Sequence, residues 1–175
     1  MIIRKATAAD IDAVAKIYEE IIDGQASGRF TPFWEKGVYP LKSTAQNAFE
    51  KDWLFVAEED GVIVASAIIN QYQGPIYEEA TWEFDATEEE VMVLHTLVVN
   101  PSCIKGGIGT KMVAFYEDYA KQHNCFELRM DTNEKNWVAR RLYKRLGYKE
   151  VSIVPCTFNG IAGVNLVCLE KNIAE

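Results

Sequence analysis

The segment NPSCIKGGIGTKMVAFY, residues 100–116, constrains the fold more than any other part of the sequence. It places Gly106, Gly107 and Gly109 directly after an apolar run and directly before residues with helical spacing. Glycine tolerates positive φ and lets another group approach the backbone, so these amide N–H groups can point toward one position. The segment therefore predicts a loop that binds an anion at a helix N-terminus, with a tight turn that binds no ligand as the alternative.

The glycines do not follow the two best-known phosphate-binding motifs. The P-loop motif ends in Gly-Lys-Ser/Thr, but here the order is Gly109-Thr110-Lys111-Met112. A dinucleotide-binding motif would place its third glycine at position 112 and would open the fold near the first strand. Both interpretations fail, although Lys105 and Lys111 could add positive charge at the rim of the loop.

The residues around the glycines predict a strand, a helix and a parallel strand. VMVLHTLVV, residues 91–99, is almost continuously apolar, which is typical of a central strand buried on both faces. Apolar residues at helical spacing follow the loop, and residues 126–131 then alternate apolar and polar side chains. A right-handed crossover should therefore join two parallel strands.

The remaining segments complete one mixed α/β domain over residues 1–175. Residues 1–7 predict a strand that leads into a helix, Asp60-Gly61 predicts a hairpin, and a second helix ends at Gly147 before two closing strands. Residues 24–42 contain Phe30, Phe33, Trp34 and Tyr39 among turn formers. They predict either a partly helical flap over a pocket or a cover for the edge of the core.

Charge and composition exclude several classes of function. The net charge of -8 disfavours nucleic acid as a partner and favours a cationic or amine ligand. No signal peptide and no run of about 18 apolar residues is recognisable, so we expect a cytoplasmic protein without a membrane segment. The four cysteines lack ligand spacing, so we expect no metal site.

Two blocks of the sequence resemble the signature blocks of the GNAT superfamily of N-acetyltransferases. They are LVVNPSCIKGGIGTKMVAF and, some thirty residues later, NWVARRLYKRLGY. The resemblance covers essentially the full chain. It implies a mostly antiparallel sheet flanked by helices, whose central parallel pair is splayed to admit acetyl-CoA as the acetyl donor.

The resemblance also implies a binding site for the donor. The glycine-rich loop would hold the pyrophosphate mainly through backbone amides, with Ile104 standing where the family usually has Gln or Arg. The pantetheine arm would pair with the strand near Leu97, and the N–H of Leu97 or Val98 would stabilise the oxyanion. Asn136 would form a hydrogen bond with the pantetheine arm. Its alternative role is that of a polar residue at the end of a helix. The implied cofactor-binding residues are Leu97, Val98, Val99, Ile104, Lys105, Gly106, Gly107, Ile108, Gly109, Thr110, Asn136 and Tyr143.

Four residues are candidates for the chemistry. Tyr143 matches the family tyrosine that protonates the departing thiolate, and its alternative role is that of a core aromatic. His95 could take a proton from the incoming amine, because its ordinary pKa lies near neutrality and its position two residues before Leu97 places both on one face of a strand. A satisfied core histidine is the alternative. Glu83, like Asp85, is a substitute base or a partner for the substrate ammonium, or else a solvated loop charge.

These residues predict an enzyme that moves an acetyl group from acetyl-CoA to a primary amine of a small molecule. Two alternatives stay open. The chain could be a CoA-binding sensor or partner-binding module without turnover, and the unusual Ile104 is the feature that supports this alternative. It could also acetylate an amine on a protein. A homodimer is possible, since dimers are common in the superfamily.

Overall fold

The computed structural model describes residues 1–28, 32–103 and 106–174. Three residues named in the sequence predictions, Phe30, Ile104 and Lys105, lie outside these ranges. No helix within the described ranges is both long enough and apolar enough to cross a membrane.

A single seven-stranded sheet organises the described residues, in the order β1-β2-β3-β4-β5-β7-β6. Only β4 and β5 are parallel, and every other neighbouring pair is antiparallel. This confirms the predicted mixed, mostly antiparallel sheet with a central parallel pair. The strands are β1 (Ile2–Lys5), β2 (Leu54–Glu59), β3 (Val62–Asn70), β4 (Val91–Val99), β5 (Glu127–Asn133), β6 (Lys149–Phe158) and β7 (Ile161–Asn172).

Five α-helices within the described ranges flank the sheet. The predicted helices after β1, after the glycine loop and before Gly147 are all present. The prediction of helix within residues 24–42 is wrong beyond the end of the first helix, because the described part of residues 26–41 is irregular. The helix that begins at Lys42 was not predicted from the sequence. The helices are α1 (Ile11–Gln25), α2 (Lys42–Glu50), α3 (Ile76–Glu79), α4 (Ile108–Gln122) and α5 (Trp137–Arg145).

Helix α4 ties the two parallel strands together from the core. Tyr116 is fully buried, and its hydroxyl lies 2.6 Å from the carbonyl oxygen of Met92 on β4 and 3.1 Å from that of Arg129 on β5. The phenol can therefore donate to a carbonyl of either strand. This contact holds the strands together in the segment where they are still paired.

A buried charged cluster fastens the segment between β3 and β4 to the sheet. Arg129 donates to the side chain of Gln73 at 2.7 Å and to the carbonyl of Phe84 at 3.1 Å. Glu170, on the neighbouring strand β7, accepts from the backbone N–H of Glu83 at 2.8 Å. Together with the nearby buried Glu127, this cluster positions the segment that forms one wall of the cleft described below.

The cluster predicts a pH dependence of stability. Burial raises the pKa of Glu127 above its ordinary value, so the native state keeps this proton to a higher pH than the unfolded chain does. The resulting stabilisation is present at low pH and is lost as the pH rises through the native pKa. Glu127→Gln cannot ionise, so its free energy of unfolding should exceed that of the wild type by about 1 kcal/mol or more at about pH 8, and the difference should be lost at about pH 4, below the ordinary pKa of a glutamate.

Urea denaturation at the two pH values measures this difference, with the exposed Glu89→Gln as the matched control. If the wild-type protein and Glu127→Gln lost stability in parallel between these pH values, the buried carboxyl would not be the source of the dependence.

Candidate active site

Strands β4 and β5 separate halfway along their length. Their parallel pairing ends at Leu94 and Met130, although β4 continues to Val99 and β5 to Asn133. Beyond that point β4 remains paired with β3, and β5 remains paired with β7. A gap therefore opens inside the sheet, and it contains a cavity of about 90 Å³.

A β-bulge in β4 lies beside this gap. Between two paired positions β3 advances two residues, from Ser66 to Ile68, while β4 spans three, from Val98 to His95. Thr96, within the bulge, has φ of 47°, in the left-handed region that non-glycine residues seldom adopt. Such a bulge leaves backbone groups outside the ladder, and neither residue 96 nor residue 97 is paired with a residue of β3.

The bulge corrects the prediction that His95 and Leu97 share a face. His95 is paired with Ile68, whose side chain packs in the cluster against α1 and α2. Leu97 packs against the cluster on the opposite face, beside α4 and α5. The extra residue shifts the alternation of side chains, so His95 and Leu97 point to opposite sides of the sheet.

The glycine loop leads into α4 as predicted. Gly106 and Gly107 have φ of 103° and 67°, and Gly107 is the N-cap residue. A Cβ atom built on either glycine meets no atom of the described residues within 4 Å, so these two glycines face open space in that part of the structure. The first amides of α4, from Ile108 to Thr110, have no acceptor within the helix, and the helix dipole makes this end positive. The loop can therefore accept an anion.

Gly109 has a packing role instead. A Cβ atom at this position would lie 3.3 Å from Cδ2 of Leu142 on α5 and 3.9 Å from Cγ2 of Val99 on β4. The absence of a side chain thus lets the start of α4 approach both elements. This close contact joins the glycine loop to the helix that carries Tyr143.

Arg145 adds a positive charge that the sequence analysis did not identify. Its guanidinium donates to the hydroxyl of Thr110 at 3.1 Å, in the first turn of α4. Because α5 ends with this arginine, the cation lies at the same helix end as the glycine loop. Nothing in the local sequence distinguishes Arg145 from the other basic residues of α5, since its position depends on how α4 and α5 pack.

Tyr143 lies on α5 and lines the small cavity together with Leu97 and Asn136. Its side chain is buried, and no described residue forms a hydrogen bond with its hydroxyl. Burial raises the pKa of this phenol, and the nearby charge of Asp131 raises it further. The hydroxyl is therefore protonated at neutral pH.

Asn136 caps the N-terminus of α5, which is the structural role that the sequence also allowed. It nevertheless lines the small cavity. Its Oδ1 accepts from the N–H of Ala139 at 3.4 Å, and its Nδ2 donates to the hydroxyl of Thr132 at 3.1 Å. The cap fixes the start of α5, and hence the position of Tyr143 within it.

His95 and Glu83 lie in different environments. His95 lines the larger cleft on the far side of the gap, and its Nε2 is 3.1 Å from Oδ1 of Asn70. Burial lowers the pKa of His95 to about 4, so the ring is neutral and weakly basic at pH 7. Glu83 is partly exposed, pairs with Lys149 at 2.6 Å, and lines neither the small cavity nor the cleft.

The larger cleft has a volume of about 730 Å³, and its lining mixes aromatic with polar side chains, among them the cation Lys51. It shares four residues with the small cavity, so the two spaces meet at the gap between β4 and β5. The aromatic side chains that line it are Tyr39, Trp53, Tyr72, Tyr77 and Phe158, and the shared residues are Tyr39, Thr96, Asp131 and Phe158.

Trp34 and Tyr39 support the interpretation of residues 24–42 as a cover over a pocket, and Trp34 also packs against the core cluster beside α1 and α2, as the alternative predicted. Both line the small cavity, and Tyr39 also lines the cleft. The hydroxyl of Tyr39 is 2.5 Å from that of Thr96, which connects this segment to the bulge in β4. The segment therefore covers a pocket, but without the predicted helix.

Asp131 lies where the two spaces meet, and the sequence analysis did not single it out. It follows Met130, the last residue of β5 that pairs with β4. Its Oδ2 accepts a hydrogen bond from the hydroxyl of Tyr77 at 2.8 Å. Burial raises the pKa of Asp131 to about 6, although the bond from Tyr77 partly opposes this shift. A carboxylate thus lines both the small cavity and the cleft.

Comparison with known families and proteins identifies relatives over most of the chain. The model of the Acetyltransferase (GNAT) family matches residues 19–148. An uncharacterized N-acetyltransferase of Methanocaldococcus jannaschii is 27% identical over 152 residues, which cover 87% of this chain and 62% of that relative. An uncharacterized N-acetyltransferase of Archaeoglobus fulgidus is 29% identical over 143 residues, covering 82% of this chain and 89% of the relative.

Solved structures share the fold. An acetyltransferase of the GNAT family from Streptococcus agalactiae superposes with a TM-score of 0.79 at 21% identity, covering 99% of this chain and 96% of that one. The Salmonella typhimurium protein yncA, whose structure contains its cofactor acetyl-CoA, gives a TM-score of 0.72 at 19% identity, with 100% and 95% covered. At these identities the likeness establishes the architecture of the chain.

Proposed function

Because the chain belongs to the GNAT family of acetyltransferases, we propose that it transfers the acetyl group of acetyl-CoA to the primary amine of a small molecule. The observation that carries this proposal is the meeting of two spaces at the gap between β4 and β5. A donor and an acceptor that enter from the two sides of the sheet would bring their reacting atoms together there.

The donor side would hold acetyl-CoA at three places. The pyrophosphate would accept hydrogen bonds from the amides that follow Gly107, with Arg145 adding charge at the same helix end. The pantetheine arm would run along β4 beyond Leu94, where the edge of that strand has no partner in the sheet. The thioester would then lie in the small cavity, beside the bulge, where the backbone N–H of Leu97 could stabilise the oxyanion.

The acceptor side supports a small substrate. The cleft lies under the segment that contains Tyr39, and five aromatic side chains stand among the polar residues of its lining, so it suits an amine with an apolar or aromatic body. A protein substrate would need an open groove that admits extended backbone on both sides of the amine.

Tyr143 would act as the general acid. It is buried and protonated, and it lines the cavity assigned to the thioester. A positioned phenol can protonate the departing thiolate, which otherwise leaves as an unstable anion in a site with little water.

Substitution of the loop glycine tests the donor site. Gly107→Glu adds a negative charge and strains a backbone with φ of 67°, so it should weaken binding of coenzyme A at least about 100-fold by isothermal titration calorimetry. Gly61→Glu is the matched control, because its φ of 77° and open surroundings are similar but it lies in the β2–β3 turn. Equal affinities for the two folded variants would contradict the placement of the pyrophosphate.

Removal of one oxygen tests the acid. Tyr143→Phe should lower kcat by about 100-fold or more and leave the KM for acetyl-CoA nearly unchanged, because the contact matters chiefly in the transition state. No described residue loses a hydrogen bond in this variant, so its stability should match that of the wild type.

Tyr148→Phe is the control for this experiment. Tyr148 is also buried and its ring lies 6.1 Å from that of Tyr143, but its hydroxyl bonds to Glu117 at 3.1 Å. It should lose about 1 kcal/mol of stability and keep its turnover. Near-normal kcat in Tyr143→Phe would refute the acid role, and coenzyme A binding without turnover of any amine by the wild type would favour a sensor.

A further inference from the structure

We propose, resting on the function above, that Asp131 accepts the proton of the acceptor ammonium and that its neutralisation prepares Tyr143 to protonate the leaving thiolate. This assigns the base to a residue that lies at the junction of the two spaces. It also links the two proton transfers of the reaction through one charge.

The geometry of Asp131 carries the assignment. It is the first residue of β5 beyond the paired segment, and it is the one carboxylate among the described residues that line either space. One carboxylate oxygen, Oδ2, is held by the hydroxyl of Tyr77 at 2.8 Å. The other oxygen has no hydrogen-bond partner among the described residues, so it can accept a hydrogen bond from an ammonium in the cleft.

The surroundings of Asp131 leave its charge unbalanced. Lys51 also lines the cleft, where its Nζ lies 4.7 Å from the centre of the Trp53 ring. Among the described residues, the groups whose pKa values the charge of Asp131 raises are phenols and thiols. They are Tyr39, Tyr77 on α3, Tyr143 on α5, Cys156 on β6 and Cys168 on β7. A cationic substrate would therefore supply the counter-charge that these residues do not provide.

Basicity favours Asp131 over His95. An ammonium with a pKa near that of lysine, about 10, gives up its proton more readily to a stronger base. Burial raises the pKa of Asp131 to about 6 and lowers that of His95 to about 4. At pH 7 both groups are in the basic form, so the carboxylate is the stronger of the two bases by about two pKa units.

The proton transfers balance as follows. The carboxylate of Asp131 takes one proton from the ammonium, and the nitrogen lone pair of the amine forms a bond with the thioester carbon. The carbon–sulfur bond breaks, and its electron pair leaves on sulfur, which takes the proton of the Tyr143 hydroxyl. The phenolate regains a proton from the nitrogen of the new amide. Asp131 releases its proton to solvent, so the products are an N-acetyl amide, free coenzyme A and one proton.

The charge of Asp131 also sets the timing of the second transfer. While Asp131 is ionised, its negative charge raises the pKa of Tyr143 and keeps the phenol protonated. Once Asp131 has accepted a proton, that contribution disappears, and the phenol becomes a better donor when the thiolate leaves.

The pH dependence of kcat/KM for an accepted amine tests the proposal. The wild type should lose activity below about pH 6, where Asp131 is protonated. Asp131→Asn keeps an acceptor for Tyr77 but cannot take a proton, so it should be at least about 100-fold slower at pH 7. Its deficit should shrink toward pH 9, where more of the amine is already neutral. Asp131→Glu should recover part of the rate. Its kcat/KM should again fall at acidic pH, and this fall is the acidic limb of the profile.

His95→Gln is the matched control and should keep the acidic limb of the wild type. The proposal is overturned if Asp131→Asn retains more than about a third of the wild-type rate at pH 7, or if His95→Gln abolishes the limb. Calorimetry with coenzyme A separates a chemical defect from a folding defect, because a folded Asp131→Asn should bind it as the wild type does. A wild type that acetylates no amine would refute the proposed function, and with it this role.

Discussion

The separation of β4 from β5 is the constraint on which the rest of the site depends. A continuous sheet would leave no passage from one face to the other, but here the parallel pairing stops after Leu94 and Met130. The contacts around this point maintain the separation. Tyr116 holds the strands together before they part, and the bulge at Thr96 redirects β4. On β5 the side chain of Asp131 accepts a hydrogen bond from Tyr77, while its backbone pairs with β7 and no longer with β4. The proposed reaction uses the gap that results.

The local charge at the donor side of the site is opposite in sign to the net charge of the chain. The net charge of -8 repels a polyphosphate at long range, but salt screens that field within about 8 Å at physiological ionic strength. At contact distance the start of α4 and Arg145 would present positive charge to the proposed donor. At the junction of the two spaces the partly buried Asp131 would present negative charge to the proposed acceptor. The two sides therefore suit an anionic donor and a cationic acceptor.

Patterns of adjacent residues predicted most of the fold. Features that depend on contacts between distant segments, such as the environment of Asp131, were not predicted. The glycine loop, the aspartate–glycine hairpin and the strand–helix–strand crossover each depend on a few adjacent residues, and all three are present. Helix α2 was missed because it buries only two alanines, Ala45 and Ala48, which give little amphipathic signal. The side of the sheet to which His95 points was wrong because alternation cannot reveal a bulge. Asp131 resembled a solvated strand residue, since its partner Tyr77 is 54 positions away.

A crystal structure of the protein with coenzyme A is the most direct test of the central claim that the donor and acceptor spaces meet at the gap between β4 and β5. The account predicts that the pyrophosphate lies on the amides after Gly107, that the pantetheine follows β4, and that the sulfur lies in the small cavity near Tyr143 and Asp131. The account would be contradicted if the sulfur of coenzyme A lay outside the gap, or in the larger cleft on the acceptor side of the sheet.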